Sequence, residues 1–270
     1  MTFTLARPST VPASQPELAA PALPTLVRGT GAPLVVIPGL DGGTGMPAGL
    51  MRTISDFEIR GLSTGTTVWR MGRRPGLTTG TSVAALAATY AAAIRAVFSE
   101  PVDVVGVSTG GSIALQLAAD YPELVRRLVL VSAAHRLSEH GLQTQHSVGA
   151  LLAQRRPRRA AALLLSNVGV SATARALLAL IGWLTPGLVI GKYPSDMRVL
   201  LEAEDRFDLT ARLATVVTPT LVIAGARDRF YSRTLYEELA GSLPNASIAL
   251  TESGHVSMHA NTWARTRSAL

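Results

Sequence analysis

Cysteine is absent from the 270 residues, which excludes a disulfide framework, a thiolate metal site and a cysteine nucleophile. Lysine occurs once, as Lys192, so the net charge of +7, from 25 basic against 18 acidic residues, is carried almost wholly by arginine. With so much alanine beside it, that arginine reads as a composition bias rather than as a binding face. The densest cluster, Arg155, Arg156, Arg158 and Arg159 around Pro157, lacks the interleaved aromatics that stack on bases, so no nucleic-acid partner is expected. Long apolar runs are missing too. The most apolar stretch, Ala176 to Ile190, falls short of the roughly 20 residues a bilayer span needs and contains Pro186 and Gly187. No membrane span is expected. The first thirty residues carry several prolines and no basic segment followed by an apolar run, so they read as an irregular lead-in rather than a signal peptide, with the cytoplasm as the expected compartment. No repeat of fixed period is found. What the chain does have is 47% hydrophobic residues against 16% charged ones, enough to bury a sizeable core and too apolar for a disordered chain.

From residue 34 onward short apolar runs alternate with helical patterns, the signature of a parallel sheet covered by helices. The candidate strands are Leu34 to Pro38, Thr67 to Arg70, Val102 to Val107, Arg127 to Ser132, Thr220 to Ala224 and Ser247 to Leu250. The clearest helix runs from Ser82 to Phe98, with Leu86, Tyr90, Ile94 and Val97 at helical spacing and Thr81 or Ser82 as its cap. Between about Ala134 and Leu213 the alternation stops, and four helical patterns follow without a convincing strand: Ser138 to Gln154, Arg158 to Leu165, Ala172 to Leu184 and Asp196 to Glu204. The expected organisation is therefore a lead-in over 1–30, an α/β core over 31–134 and 214–270, and an inserted helical cap over 135–213, placed at the carboxyl edge of the sheet where open α/β sheets bind ligands.

Gly106-Val107-Ser108-Thr109-Gly110 fits G-x-S-x-G at the junction of a strand and a helix. In a chain with 24 glycines the bare pattern is weak, and the strand before and helix after give it weight. Such a serine sits on a sharp, strained turn, and small neighbours let strand and helix approach closely. A phosphate-binding turn is the bland alternative, but neither a Walker lysine nor a G-x-G-x-x-G is present. A serine nucleophile needs a base. Of His135, His140, His146, His255 and His259, His140 and His146 fall in the cap and His135 just after a strand, whereas His255 follows the last strand, beside the elbow. His259 lies one helical turn further on, and without a glutamate after the first histidine the pair does not read as a zinc motif. The base in turn needs a carboxylate to fix its tautomer. Asp228 follows the strand from Thr220 to Ala224, so it too emerges at the carboxyl edge; Asp205 and Asp208 are rivals that precede that strand, and a surface pair with Arg227 or Arg229 is the alternative for Asp228 itself.

Ser108, Asp228 and His255 in that order, with Val35-Val36-Ile37-Pro38-Gly39-Leu40, Tyr121-Pro122-Glu123, the run Leu128 to Ser132 and Gly254-His255, resemble the α/β-hydrolase superfamily from about Thr25 to the C-terminus. The resemblance implies an oxyanion hole from the backbone N–H groups of Leu40 and Thr109. It implies acyl transfer to water without metal or organic cofactor, carboxylic ester hydrolysis being the usual activity. Pro38 stands where many relatives carry histidine, which touches loop packing rather than chemistry. Gly39, Asp41, Trp183, Leu184 and Leu188 are the expected pocket residues, for an apolar or lightly polar small-molecule substrate. Thioester cleavage or acyl transfer on a carrier that meets the arginine cluster, and a ligand receptor of the same fold, remain open beside this reading. The sequence is silent on oligomeric state.

Overall fold

The computed structural model of the chain describes residues 23–40, 42–255 and 260–269. Along them run β1 (Thr25–Gly29), β2 (Ala32–Ile37), α1 (Gly49–Arg60), β3 (Thr66–Met71), α2 (Val83–Val97), β4 (Val102–Val107), α3 (Thr109–Asp120) and β5 (Val125–Val131). After β5 come α4 (Glu139–Ala153), α5 (Pro157–Ser166), α6 (Ala172–Leu184), α7 (Pro186–Val189) and α8 (Pro194–Asp205). Then β6 (Thr220–Gly225), α9 (Arg233–Ser242), β7 (Ala246–Thr251) and α10 (Ala260–Ala269) complete the fold. The seven strands form one sheet in the order β1-β3-β2-β4-β5-β6-β7, parallel throughout except for β1, which pairs antiparallel with β3 at the edge. This is an α/β-hydrolase fold.

The interior strands are apolar on both faces, as a sheet buried between helices requires. Val35, Ile37, Val104, Leu128, Leu130, Val222 and Ala224 pack into the larger core with α2, α3 and α9, while Leu34, Val36, Val105, Val129 and Ile223 face the second. Helix α2 is capped by Ser82, whose side chain accepts from the Ala85 N–H at 3.1 Å. The direction in which strands are added reverses at β2: the chain steps from β2 outward to β3, then returns past β2 to β4. The crevice at that switch point, above the carboxyl ends of two neighbouring strands, is where open α/β sheets take their ligands.

Two elements depart from the expectation. Thr25–Gly29 lies within the stretch expected to be irregular, yet it is the edge strand β1, with Leu26 its one buried residue. Gly49–Arg60, which no sequence pattern singled out, is helix α1; it has no side-chain cap, and Leu50, Ile54 and Phe57 point outward. Between β5 and β6 the described chain holds α4 to α8 and a short 3-10 turn at Thr210–Thr215, and no strand. No helix among the described residues is long and apolar enough to cross a membrane.

Candidate active site

Ser108 occupies the turn between β4 and α3 with φ 51° and ψ −126°, a left-handed backbone that a residue with a Cβ adopts only under the pressure of its surroundings. Those surroundings are visible at two glycines. A Cβ on Gly106 would come within 2.6 Å of the Gly110 carbonyl oxygen and of Gly111 Cα. One on Gly110 would collide with the carbonyl oxygens of Ile37 and Pro38 at the end of β2. Only hydrogen fits, so strand and helix close on each other and the serine is pushed out at the switch point.

There the Ser108 hydroxyl lies 2.9 Å from His255 Nε2. His255 Nδ1 lies 2.8 Å from Asp228 Oδ2, between side chains that are nearly or fully buried. Asp228 also accepts the N–H groups of Phe230 at 2.8 Å and Tyr231 at 3.2 Å on Oδ1, and the Tyr236 hydroxyl at 2.5 Å on Oδ2. Burial pushes the Tyr236 phenol well above its ordinary range, so it stays a donor. Four donors on one carboxylate fill its acceptor positions and leave it fixed beside the imidazole. Phe230 and Tyr231 flank the ring, at centroid distances of 4.8 Å and 6.0 Å, and Tyr231 lies within 24° of parallel to it.

The rival residues go elsewhere. Arg227 pairs with Glu252 at 3.5 Å, and Arg229 reaches His140 and Asn167, so Asp228 is not the anion of a surface pair. Asp208 takes the N–H and hydroxyl of Thr210. Asp205 lies 3.2 Å from His146 Nε2 with one carboxyl oxygen buried and unpartnered. Burial, opposed in part by His146, pushes the Asp205 carboxyl up to about 6. A carboxyl that ionises less readily in the folded chain than in the unfolded one costs stability once the pH rises past its unfolded value. Asp205→Asn is therefore expected to melt a few degrees above the parent at about pH 8 and together with it below about pH 4; melting curves at the two pH values check this. A lower Tm for the variant at the higher pH would show that the His146 contact outweighs burial.

The loop after β2 is held from behind. Arg73, itself buried, donates to the carbonyls of Pro38 at 2.8 Å and Gly43 at 3.2 Å and also to that of Gly39. Every described peptide bond is trans, so with the Gly39 carbonyl aimed at Arg73, the Leu40 N–H on the same peptide points the opposite way. Thr109 opens α3, and its N–H is among the first-turn donors that have no acceptor within the helix.

A cavity of about 340 Å³ joins these parts, lined by Gly39, Leu40, Ser108, Thr109 and His255 and walled mainly by apolar side chains. Leu188 is on its wall, with Ile181, Thr185 and Val189 beside it. Trp183 and Leu184 correct the expectation. Trp183 lies outside, under the Arg158 guanidinium at 4.9 Å, in a separate cleft with the 155–159 arginines; Leu184 is 62% exposed. Helix α6 is apolar around most of its circumference while only Gly182 is buried, so periodicity names no inward face. Asp41 and His259 lie outside the described residues. Sequence reasoning missed Arg73, Tyr231, Tyr236 and Glu204. Glu204 alone had a visible signal, a charge standing where Met197, Leu200 and Leu201 lead the buried face of α8. Among the described residues no cluster of three potential metal ligands occurs.

The profile described as "alpha/beta hydrolase fold" matches residues 32–262. The chain belongs to that family. It is 27% identical to "Pyrrolizixenacetamide deacetylase" of Xenorhabdus hominickii over 176 residues, 63% of this chain and 65% of that protein. It is 30% identical to "Putative carbamate hydrolase RutD" of Pseudomonas syringae pv. syringae (strain B728a) over 158 residues, 56% of this chain and 60% of that one. The chain thus spans less than two thirds of the length of either relative. The α/β-hydrolase frame is shared more widely: the enol-lactonase from Burkholderia xenovorans LB400 superposes with a TM-score of 0.73 over 90% of this chain and 93% of that chain, at 17% identity.

Proposed function

We propose that this α/β hydrolase is a serine enzyme that cleaves a small, largely apolar carboxylic ester through an acyl-enzyme. The observation that carries the reading is the unbroken line from Ser108 Oγ through the imidazole of His255 to the buried Asp228 carboxylate. In the first step His255 Nε2 takes the Ser108 proton as Oγ attacks the acyl carbon, and Asp228 balances the imidazolium that forms. The oxyanion is received by the N–H groups of Leu40 and Thr109, the first turned away from Arg73 and the second free at the start of α3. The imidazolium then protonates the leaving alkoxide. Water, deprotonated by the same ring, releases the acid and restores Ser108.

The cavity supports a small substrate. At about 340 Å³ it lies at the lower end of ordinary ligand pockets, and its apolar wall has one charged stretch, Glu58 and Arg70. The segment 135–213, here read as a cap, supplies Gln145, Leu164, Val168, Ile181 and Leu188 to that wall, which makes it the selector of acyl and alcohol groups. The names of the similar proteins, a deacetylase, a carbamate hydrolase and an enol-lactonase, all denote cleavage at a carbonyl carbon. Turnover on a panel of short-chain nitrophenyl esters, lactones, carbamates, amides and coenzyme A thioesters tests the class. The expected result is a kcat/KM for a short ester at least about tenfold above that of the others, each tenfold reflecting about 1.4 kcal/mol of differential transition-state binding. A thioester that dominates the panel would instead assign the 155–159 arginine cleft to a phosphate-bearing carrier.

A further inference from the structure

Glu204, at the end of α8, is 2% exposed and meets no cation within ion-pairing distance among the described residues. Its carboxylate is held by four neutral donors from three other parts of the chain. Oε2 accepts the Thr109 hydroxyl at 2.7 Å and the Gln145 amide at 2.9 Å. Oε1 accepts the Tyr231 hydroxyl at 2.8 Å and the Ser112 hydroxyl at 3.2 Å. Burial holds the Tyr231 phenol well above its ordinary range, with Glu204 adding to the rise, so Tyr231 donates. A carboxylate has about four acceptor positions, and here each has a donor. Unpaired buried charge is expensive, and a chain that needed only to fill this space would do so with leucine or methionine, as α8 does at Met197, Leu200 and Leu201.

The donors are placed where acyl transfer would occur. Thr109 is the residue after Ser108 and Ser112 is one helical turn beyond it. Tyr231 lies along His255 and follows the Asp228 loop. Gln145 comes from α4, on the same cavity wall. At its other end α8 is tied to the loops after β2 and β3 through Asp196, which accepts the Thr44 hydroxyl at 2.5 Å and the N–H of Gly76 at 2.9 Å. The helix is thus fixed at both ends, and its last turn delivers a charge beneath the elbow.

We propose that Glu204 is a positioning residue for acyl transfer, a buried carboxylate from the 135–213 insertion that locks the first turn of α3 and the Asp228–Tyr231 loop in one arrangement. The proposal rests on Ser108 being the nucleophile. Glu204→Gln preserves shape, and the Ser and Thr hydroxyls and the Gln145 amide can turn to accept from the new NH2, so the variant loses the charge while keeping most of the hydrogen bonds.

The test measures kcat and KM on a neutral short-chain ester, together with the second-order rate of labelling by a fluorophosphonate, in the full-length chain. For Glu204→Gln the expected result is a fall of about 10- to 100-fold in kcat and in the labelling rate, with KM within about threefold. Tyr231→Phe keeps the ring beside His255 and removes one donor; a fall of about three- to tenfold in kcat is expected there. In the double variant the losses should be less than multiplicative, since both act through one cluster. A lowered Tm with kcat and labelling rate within twofold of the parent, in either folded variant, would reduce Glu204 to a packing residue. Should Glu204→Gln fail to fold, Tyr231→Phe decides alone. If the unmodified protein itself takes no label at Ser108, the nucleophile assignment has failed, and that outcome is distinct from a labelled parent with undisturbed variants.

Discussion

Asp228→Asn is expected to lower kcat by about four orders of magnitude while leaving the fold in place, the loss known for the corresponding change in a serine protease. The size follows from what the carboxylate does. In the proposed mechanism Oδ2, 2.8 Å from His255 Nδ1, holds the proton there and leaves Nε2 unprotonated toward Ser108. An asparagine can offer its NH2 to Nδ1, which stabilises the tautomer with the proton on Nε2 and removes the proton acceptor that Ser108 needs. It also cannot balance the imidazolium. The backbone donors on Oδ1, from Phe230 and Tyr231, can still be met by the amide oxygen, so the loop should stay formed. Kinetics and a melting curve on the same preparation check this. A variant with near-parental kcat, beside a collapse in Asp205→Asn or Asp208→Asn at unchanged Tm, would contradict the placement of the acid.

Ser108→Ala is expected to have the larger effect, about 10⁵- to 10⁶-fold in kcat, because no bond to the acyl carbon can then form and only the oxyanion donors and binding remain. Stability should hardly move. The Ser108 side chain makes no cap to α3, and the strained turn is maintained by Gly106 and Gly110, which are untouched. KM should change little, since the cavity wall is intact. Retention of more than about 1% of the parental kcat, where a loss of several orders of magnitude is expected, would place the nucleophile elsewhere.

The contrast between the legible and illegible parts of this chain has physical causes. The β4–elbow–α3 segment could be read because a strand of β-branched residues, two obligatory glycines and a helix leave few alternatives for Ser108. Asp228 and His255 could be placed because each follows a strand, and parallel strands deliver the residues after them to one edge. β1 escaped notice because an edge strand of five residues with one buried position has no period to detect. α1 escaped because its apolar residues face outward rather than marking a buried stripe. Trp183 and Leu184 were misplaced because α6 is apolar on nearly every side, so only its seating across α5, with Gly182 against Ala161, decides which residues reach the cavity. Arg73 is a clearer case still. It acts on backbone carbonyls some thirty residues away, and such contacts exist only once the fold has brought them together; for Glu204 the charge on a buried face was visible, but its donors were not.

Helix α8 is tied at one end to the loop after β3, through Asp196, and at the other to the first turn of α3, through Glu204.

The most direct measurement on the central claim is the intact mass of the protein after reaction with a fluorophosphonate, followed by peptide mapping. One adduct per chain, on the peptide that contains Ser108 and absent from Ser108→Ala, is the result this account requires. No adduct on the folded protein, or an adduct carried instead by Ser132, the other serine with positive φ among the described residues, at 50°, would contradict it.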